Sequence, residues 1–181
     1  MIMKKRIVPF TESSAWPILA ELTDENVLGT GGLSSASPRL TARAILKRED
    51  GLFAVMYAKK FNLYSLPGGG IEGDESPETA IAREIWEETG CTCSAIEPLG
   101  VVLENRFHAD YTQIDYYFVV TTNGEGGQLH LTPNEEQNGT RPQWHTLDEV
   151  VHLIRDREHD TSQRKYLQAR DVAALAAYLK R

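Results

Sequence analysis

The sequence predicts a mixed α/β domain with helices packed over a sheet. Three observations predict it. Apolar residues 40, 42, 44 and 46 alternate with polar 41 and 43 in Leu40-Thr41-Ala42-Arg43-Ala44-Ile45-Leu46, with Ile45 alone out of step. Ser76 and Gly90 bracket one well-capped helix, and strand-like runs lie on both sides of it. The chain has 181 residues, 41% hydrophobic and 25% charged, so it can bury a core without disulfide staples.

Residues 1–38 are expected to be an N-terminal extension and linker. Lys4-Lys5-Arg6 starts like a signal peptide, but the apolar run stops at Thr11-Glu12-Ser13-Ser14. Small and turn-forming residues from Thr30 to Pro38 mark the boundary. From there a strand over residues 40–46 turns at Arg48-Glu49-Asp50-Gly51 into an antiparallel partner, Leu52–Tyr57. The glycine-rich loop Pro67–Gly70 leads to the helix, with Ser76 as N-cap, Pro77 in its first turn and Gly90 as its left-handed stop. Strands follow at Ser94–Leu103 and Ile114–Thr121, then a turn at Asn123–Gly127 and a loop at Pro133–Gly139. Gln143-Trp144-His145 closes a last strand, and Thr146-Leu147-Asp148-Glu149 is a capping-box start to a second helix. Helical spacing returns at Asp171–Arg181. The domain is therefore placed at residues 39–160, with residues 161–181 a C-terminal helix packing on it.

Nineteen Lys and Arg against 26 Asp and Glu give a formal charge of −7, which argues against a nucleic-acid polymer or an anionic membrane as partner. No stretch approaches the roughly twenty apolar residues of a membrane span. Cys91 and Cys93 are too close in sequence for an ordinary disulfide and too few for a zinc site, which points to free thiols in a reducing cytoplasm.

The chemistry concentrates between Leu66 and Cys91. Glu84, Glu87 and Glu88 stand at i, i+3 and i+4 on one helical face, and Ile81 and Ile85 form an apolar stripe to anchor the helix. Like charges on one turn weaken a helix, and a site for a hard divalent cation is a reason to accept that cost. Between Glu72 and Glu88 there are seven acidic residues and one basic one. Such a segment repels a phosphate unless cations stand between them, so metal-bridged polyphosphate chemistry fits. Glutamate-rich turns on their own are usually solvated faces.

The segment resembles the signature of the Nudix hydrolases, Gly-x5-Glu-x7-Arg-Glu-U-x-Glu-Glu-x-Gly-U with U a bulky apolar residue. Here it reads Gly69, Glu75, Arg83-Glu84-Ile85, Glu87-Glu88, Gly90 and Cys91, the cysteine being its one soft departure. A weaker likeness extends over residues 39–155. The resemblance implies an α/β/α sandwich with a mixed sheet, and metal-dependent hydrolysis of a nucleoside diphosphate linked to another moiety. It implies that Glu84, Glu87 and Glu88, with the Gly68 carbonyl, hold Mg²⁺ or Mn²⁺. Glu75 and Arg83 would orient them, and Glu136 would take the proton of the attacking water, or Glu87 in its place.

Arg43, Phe107 and Tyr117 are candidate substrate contacts, weighed against a surface arginine and core aromatics. The five histidines show no metal-ligand spacing. The partner expected is a nucleotide-derived small molecule, with a homodimer carried over from related proteins. The alternative is a catalytically silent Nudix-fold domain that senses nucleotides; such domains usually lose one or more of the metal glutamates, all present here. Specificity lies outside the signature, so oxidised nucleoside triphosphates, nucleotide sugars and dinucleoside polyphosphates all stay open.

Overall fold

The computed structural model describes residues 7–124 and 126–181. The basic start Lys4-Lys5-Arg6, and Glu125 in the 123–127 turn, lie outside the described residues. One mixed sheet is built from β1 (Ile18–Thr23), β2 (Arg39–Arg48), β3 (Phe53–Ala58), β4 (Leu63–Ser65), β5 (Gly68–Gly70), β6 (Cys93–Arg106), β7 (Tyr111–Thr122) and β8 (Thr140–His145). The helices are α1 (Asp24–Leu28), α2 (Pro77–Thr89), α3 (Pro133–Gln137), α4 (Leu147–Arg155) and α5 (Ser162–Tyr178). The main path runs β1-β6-β7-β2-β3-β4, with β5 beside β2 and β8 beside β3. Pairings β1–β6 and β2–β7 are parallel and the others antiparallel.

The alternation in β2 sorts the layers. Ala42, Ala44 and Leu46 pack against Ile81 and Ile85 of α2. Ile45, the residue out of step with that alternation, faces the other way and joins Val150 and Ile154 of α4 and Ala174 and Leu175 of α5. Both faces of the sheet are covered, so Ile45 is buried as its neighbours are.

The β2–β3 pair parts soon after its turn. Lys47 pairs with Phe53, but β4 then stays with β3 while β5 crosses to β2, aligning Gly69 with Ala42. Residues 63–70 thus fill the opening between the two strands. The glycine segment, expected as a loop, is extended backbone held inside the sheet. Leu66 beside it is buried, and its N–H donates to Asp171 Oδ2 of α5 at 2.9 Å.

Within the segment expected as an extension, residues 18–23 form β1, which pairs in parallel with β6 and aligns Leu22 with Glu104. Val8 is buried against Val101, Leu103 and Ile114, and Trp16 sits edge-on to Tyr116 and Phe118 at 4.9 and 5.2 Å. A parallel pairing across eighty residues leaves no hairpin signal to read. α5 starts at Ser162 under a Thr161 cap, well before Asp171. Among the described residues, no helix is long and apolar enough to cross a membrane.

Candidate active site

Burial of Ile81 and Ile85 fixes the rotation of α2 and sets Glu84 and Glu88 against β5. The two carboxylates are nearly enclosed, at 9% and 5% exposure. The Gly68 amide donates to Glu88 Oε2 at 2.8 Å. A Cβ on Gly69 would stand 2.4 Å from Glu84 Oε1, so any side chain there would displace that carboxylate. Gly68 has φ 131°, and a Cβ there would meet the Ala42 carbonyl oxygen at 2.2 Å.

Arg83 ties the acidic set together. Its Nη1 donates to Glu84 at 2.9 Å and Glu87 at 3.1 Å, and its Nη2 to Glu75 at 2.7 Å and the Gly70 carbonyl at 2.8 Å. Glu75 Oε1 also accepts from the Glu72 amide, closing the turn before the helix. The hydrogen bonds from Arg83 hold the Glu75 carboxyl below its ordinary pKa, against the opposing effect of burial. Burial pushes the Glu84 carboxyl up, and Arg83 opposes it in part. Glu88 is pushed well above its ordinary value, by burial first and then by the charge of Glu84.

Two enclosed carboxylates, Glu84 raised by burial and by the charge of Glu87 and Glu88 by burial and the charge of Glu84, are a site short of positive charge, and their oxygens are the donors a hard divalent cation takes. The residues present fit such an ion. Among the described residues, no three acidic or histidine side chains already converge on one point. Arg83 engages Glu84 and Glu87, while Glu88 is held by the Gly68 amide. The Gly68 carbonyl, expected as a further ligand, accepts from Arg43 Nη1 at 3.0 Å and keeps a second lone pair.

The Pro133–Gly139 segment, expected as a loop, contains α3. Thr132 caps it, and Glu135 accepts from both the Thr132 amide and its hydroxyl. The signal was Thr132-Pro133-x-Glu135, a capping box with proline in the first turn. Glu136 is exposed on the same turn. Of the two, it is the charge of Glu135 that adds to the pressure on Glu88.

Residues 37–169 match the family model of the NUDIX domain. The chain belongs to the NUDIX family. A MutT-like protein of Streptomyces ambofaciens is 40% identical over 62 residues, 34% of this chain and 40% of that protein. A mouse diphosphoinositol polyphosphate phosphohydrolase 3-alpha is 27% identical over 111 residues, 60% of this chain and 62% of that one. The RNA pyrophosphohydrolase of Acidiphilium cryptum is 29% identical over 123 residues, 65% of each. The chain thus spans from two-fifths to just under two-thirds of the length of these relatives. A MutT protein structure from Bacillus halodurans superposes with TM-score 0.52 at 22% identity, covering 72% of this chain and 80% of that one. A NUDIX hydrolase from Nitrosomonas europaea gives 0.56 at 18% identity, covering 80% and 90%. These two share the fold.

The candidate substrate contacts of this NUDIX chain separate. Arg43 faces the α5 side of the sheet and bridges the Gly68 carbonyl and Asp115, the latter at 3.2 Å. Phe107 is half exposed in a short 3₁₀ turn, its ring lying over Gly32. Tyr117 has no exposed surface, and its hydroxyl donates to Asp171 Oδ1 at 2.6 Å. That corrects its place among the substrate contacts: it is a core residue serving a buried polar network. Sequence reasoning missed Glu104, Asp115, Arg170 and Asp171, charged residues buried between the sheet and α5. Arg170 and Asp171 sit in the helical spacing of α5, where charges read as a solvated face.

Proposed function

We propose that this chain is a metal-dependent hydrolase that cleaves the phosphoanhydride bond of a nucleotide-derived small molecule. The observation that carries the reading is the enclosed Glu84–Glu88 pair set against β5, with Arg83 and the Gly68 amide fixing the carboxylates. The relatives named for RNA pyrophosphate and diphosphoinositol polyphosphate hydrolysis support an anhydride as the bond cleaved. Glu84, Glu87 and Glu88, with the Gly68 carbonyl, are the ligands proposed for Mg²⁺ or Mn²⁺. A bound divalent cation neutralises the diphosphate and lowers the pKa of water.

The chain's own residues do the rest. Arg83 holds Glu84 and Glu87 in fixed rotamers by donating to both, and Glu75 and the Gly70 carbonyl hold Arg83 in turn. Arg43, beside the Gly68 carbonyl, offers a cation to phosphoryl oxygens. Water adds to phosphorus, the P–O bond to the leaving phosphate breaks, and a carboxylate outside the metal set receives the water's proton. Glu135 is preferred to Glu136 for that role, because its charge bears on Glu88. Both cysteines are free, which suits the reducing cytoplasm proposed as the location. The proposed homodimer is read directly by light scattering.

Turnover of a panel of nucleoside diphosphate derivatives with Mg²⁺, Mn²⁺ or excess chelator tests the reading. Cation-dependent release of a nucleoside monophosphate and the phosphorylated remainder is expected. Nucleotide binding without turnover of any compound would instead make the chain a silent sensor.

A further inference from the structure

A cleft of about 470 Å³ opens on the α5 face of the sheet, beside the candidate active site. Four arginines line it, Arg39, Arg43, Arg106 and Arg170, and no acidic residue does. In a chain of net charge −7 that is a local reversal of sign. The link to the acidic site is direct: Arg43 donates to the Gly68 carbonyl, and the Gly68 amide donates to Glu88. Arg39 Nη2 lies 3.1 Å from where a Cβ on Gly70 would stand.

The arginines are aimed from behind. Arg106 is held by Glu104 at 2.5 Å and Arg43 by Asp115 at 3.2 Å, both carboxylates fully buried. Arg170 is 2% exposed, yet its one hydrogen bond among the described residues is a 3.5 Å contact from Nη1 to Asp115. Its Nε makes no hydrogen bond among the described residues and faces Asp171 Oδ1 as an ion pair at 3.5 Å. Arg39 is exposed and forms no ion pair among the described residues. Donors therefore remain unspent on a surface whose guanidiniums are already positioned, the arrangement that recognises phosphate oxygens. The Arg106 guanidinium also lies over Tyr111 at 5.1 Å and Tyr166 at 4.7 Å, contacts that help hold its place.

We propose that this cleft receives a phosphate group of the substrate beyond the two joined by the scissile anhydride. It makes Arg39 and Arg106 specificity-determining residues for substrates with at least three phosphoryl groups over diphosphates capped by a neutral sugar. This rests on the hydrolase reading above for its kinetics, but not for its binding.

Two arms test it and separate the failures. Calorimetric titration of the full chain with inorganic tripolyphosphate, in excess chelator, reads the cleft with no turnover. Binding is expected in the wild type and at least tenfold weaker in Arg39→Gln, whose exposed, unpaired side chain the fold does not need. Arg106→Gln, checked for folding by its thermal transition, should weaken it similarly. In the second arm, kcat/KM for ATP relative to UDP-glucose with Mg²⁺ should favour ATP and fall at least tenfold in Arg39→Gln. No tripolyphosphate binding at millimolar concentration, or equal binding by wild type and Arg39→Gln, overturns the proposal. So does an ATP to UDP-glucose ratio that Arg39→Gln leaves unmoved. Tripolyphosphate binding without hydrolysis of any compound would keep the cleft and refute only the hydrolase.

Discussion

Gly68 and Glu88 meet through a single hydrogen bond of 2.8 Å, from the glycine amide to the glutamate carboxylate, across twenty residues of sequence. It joins β5, wedged in the sheet, to the last turns of α2, so a backbone position fixes where the most deeply buried acid of the site points. The same glycine passes its carbonyl to Arg43, which lines the basic cleft. One residue thus connects the acidic and basic halves of the site.

Gly68→Ala is expected to break that junction. Its φ of 131° and the 2.2 Å approach to the Ala42 oxygen leave no room for a methyl group. Strain of about 1–3 kcal/mol, plus displacement of β5, should lower the thermal transition and abolish turnover. Thermal denaturation beside a hydrolysis assay reads both, and an unchanged transition would mean β5 yields freely.

Arg83→Lys keeps the charge but cannot reach Glu75, Glu84, Glu87 and the Gly70 carbonyl together. Activity should fall about 10–100-fold, as for lost outer-shell partners of a metal site, with a higher cation concentration needed for half-activation. A change in KM for substrate alone would argue that Arg83 touches the substrate instead.

The choice between the two α3 carboxylates is decided by a pair of variants. Glu135→Gln should lower kcat by about 10²–10⁴ with KM similar, the range for a lost general base, while Glu136→Gln stays within a few-fold of wild type. The reverse order would hand the role to Glu136.

Glu104 supplies a pH dependence of stability. Burial, reinforced by the charge of Asp115, pushes its carboxyl up to about 7, against Arg170 and Arg106. The folded state therefore binds its proton more tightly than the unfolded chain does. Its contribution is fully present below the ordinary carboxylate range and is lost as pH rises through about 7. Between pH 5 and 8 the wild type should lose stability that Glu104→Gln, neutral throughout, does not lose in the same way. Parallel melting curves across that range would contradict this.

What the sequence disclosed followed the reach of each interaction. The signature helix was legible because Ser76, Ile81, Ile85 and Gly90 act within one helix, and their spacing carries rotation and length. The antiparallel turn at Asp50-Gly51 was legible for the same reason. β1 was not, because Leu22 finds its partner beside Glu104, far along the chain. Tyr117 shows the limit of reading aromatics on a strand: its neighbours decide whether it meets a ligand, and its neighbour is Asp171 of α5. The cleft arginines come from β2, β6 and α5 and share no motif, so only the folded sheet brings them together.

Glu88 and its neighbours are the proposed holders of the divalent cation. Mn²⁺ binding followed by electron paramagnetic resonance tests that without any substrate, on wild type, Glu88→Gln and Glu78→Gln. Glu78 is exposed in the first turn of α2, at a position the signature leaves free. The expected result is bound Mn²⁺ in wild type and in Glu78→Gln, weakened at least tenfold in Glu88→Gln, with all three proteins folded. Equal Mn²⁺ binding by wild type and Glu88→Gln would contradict the account.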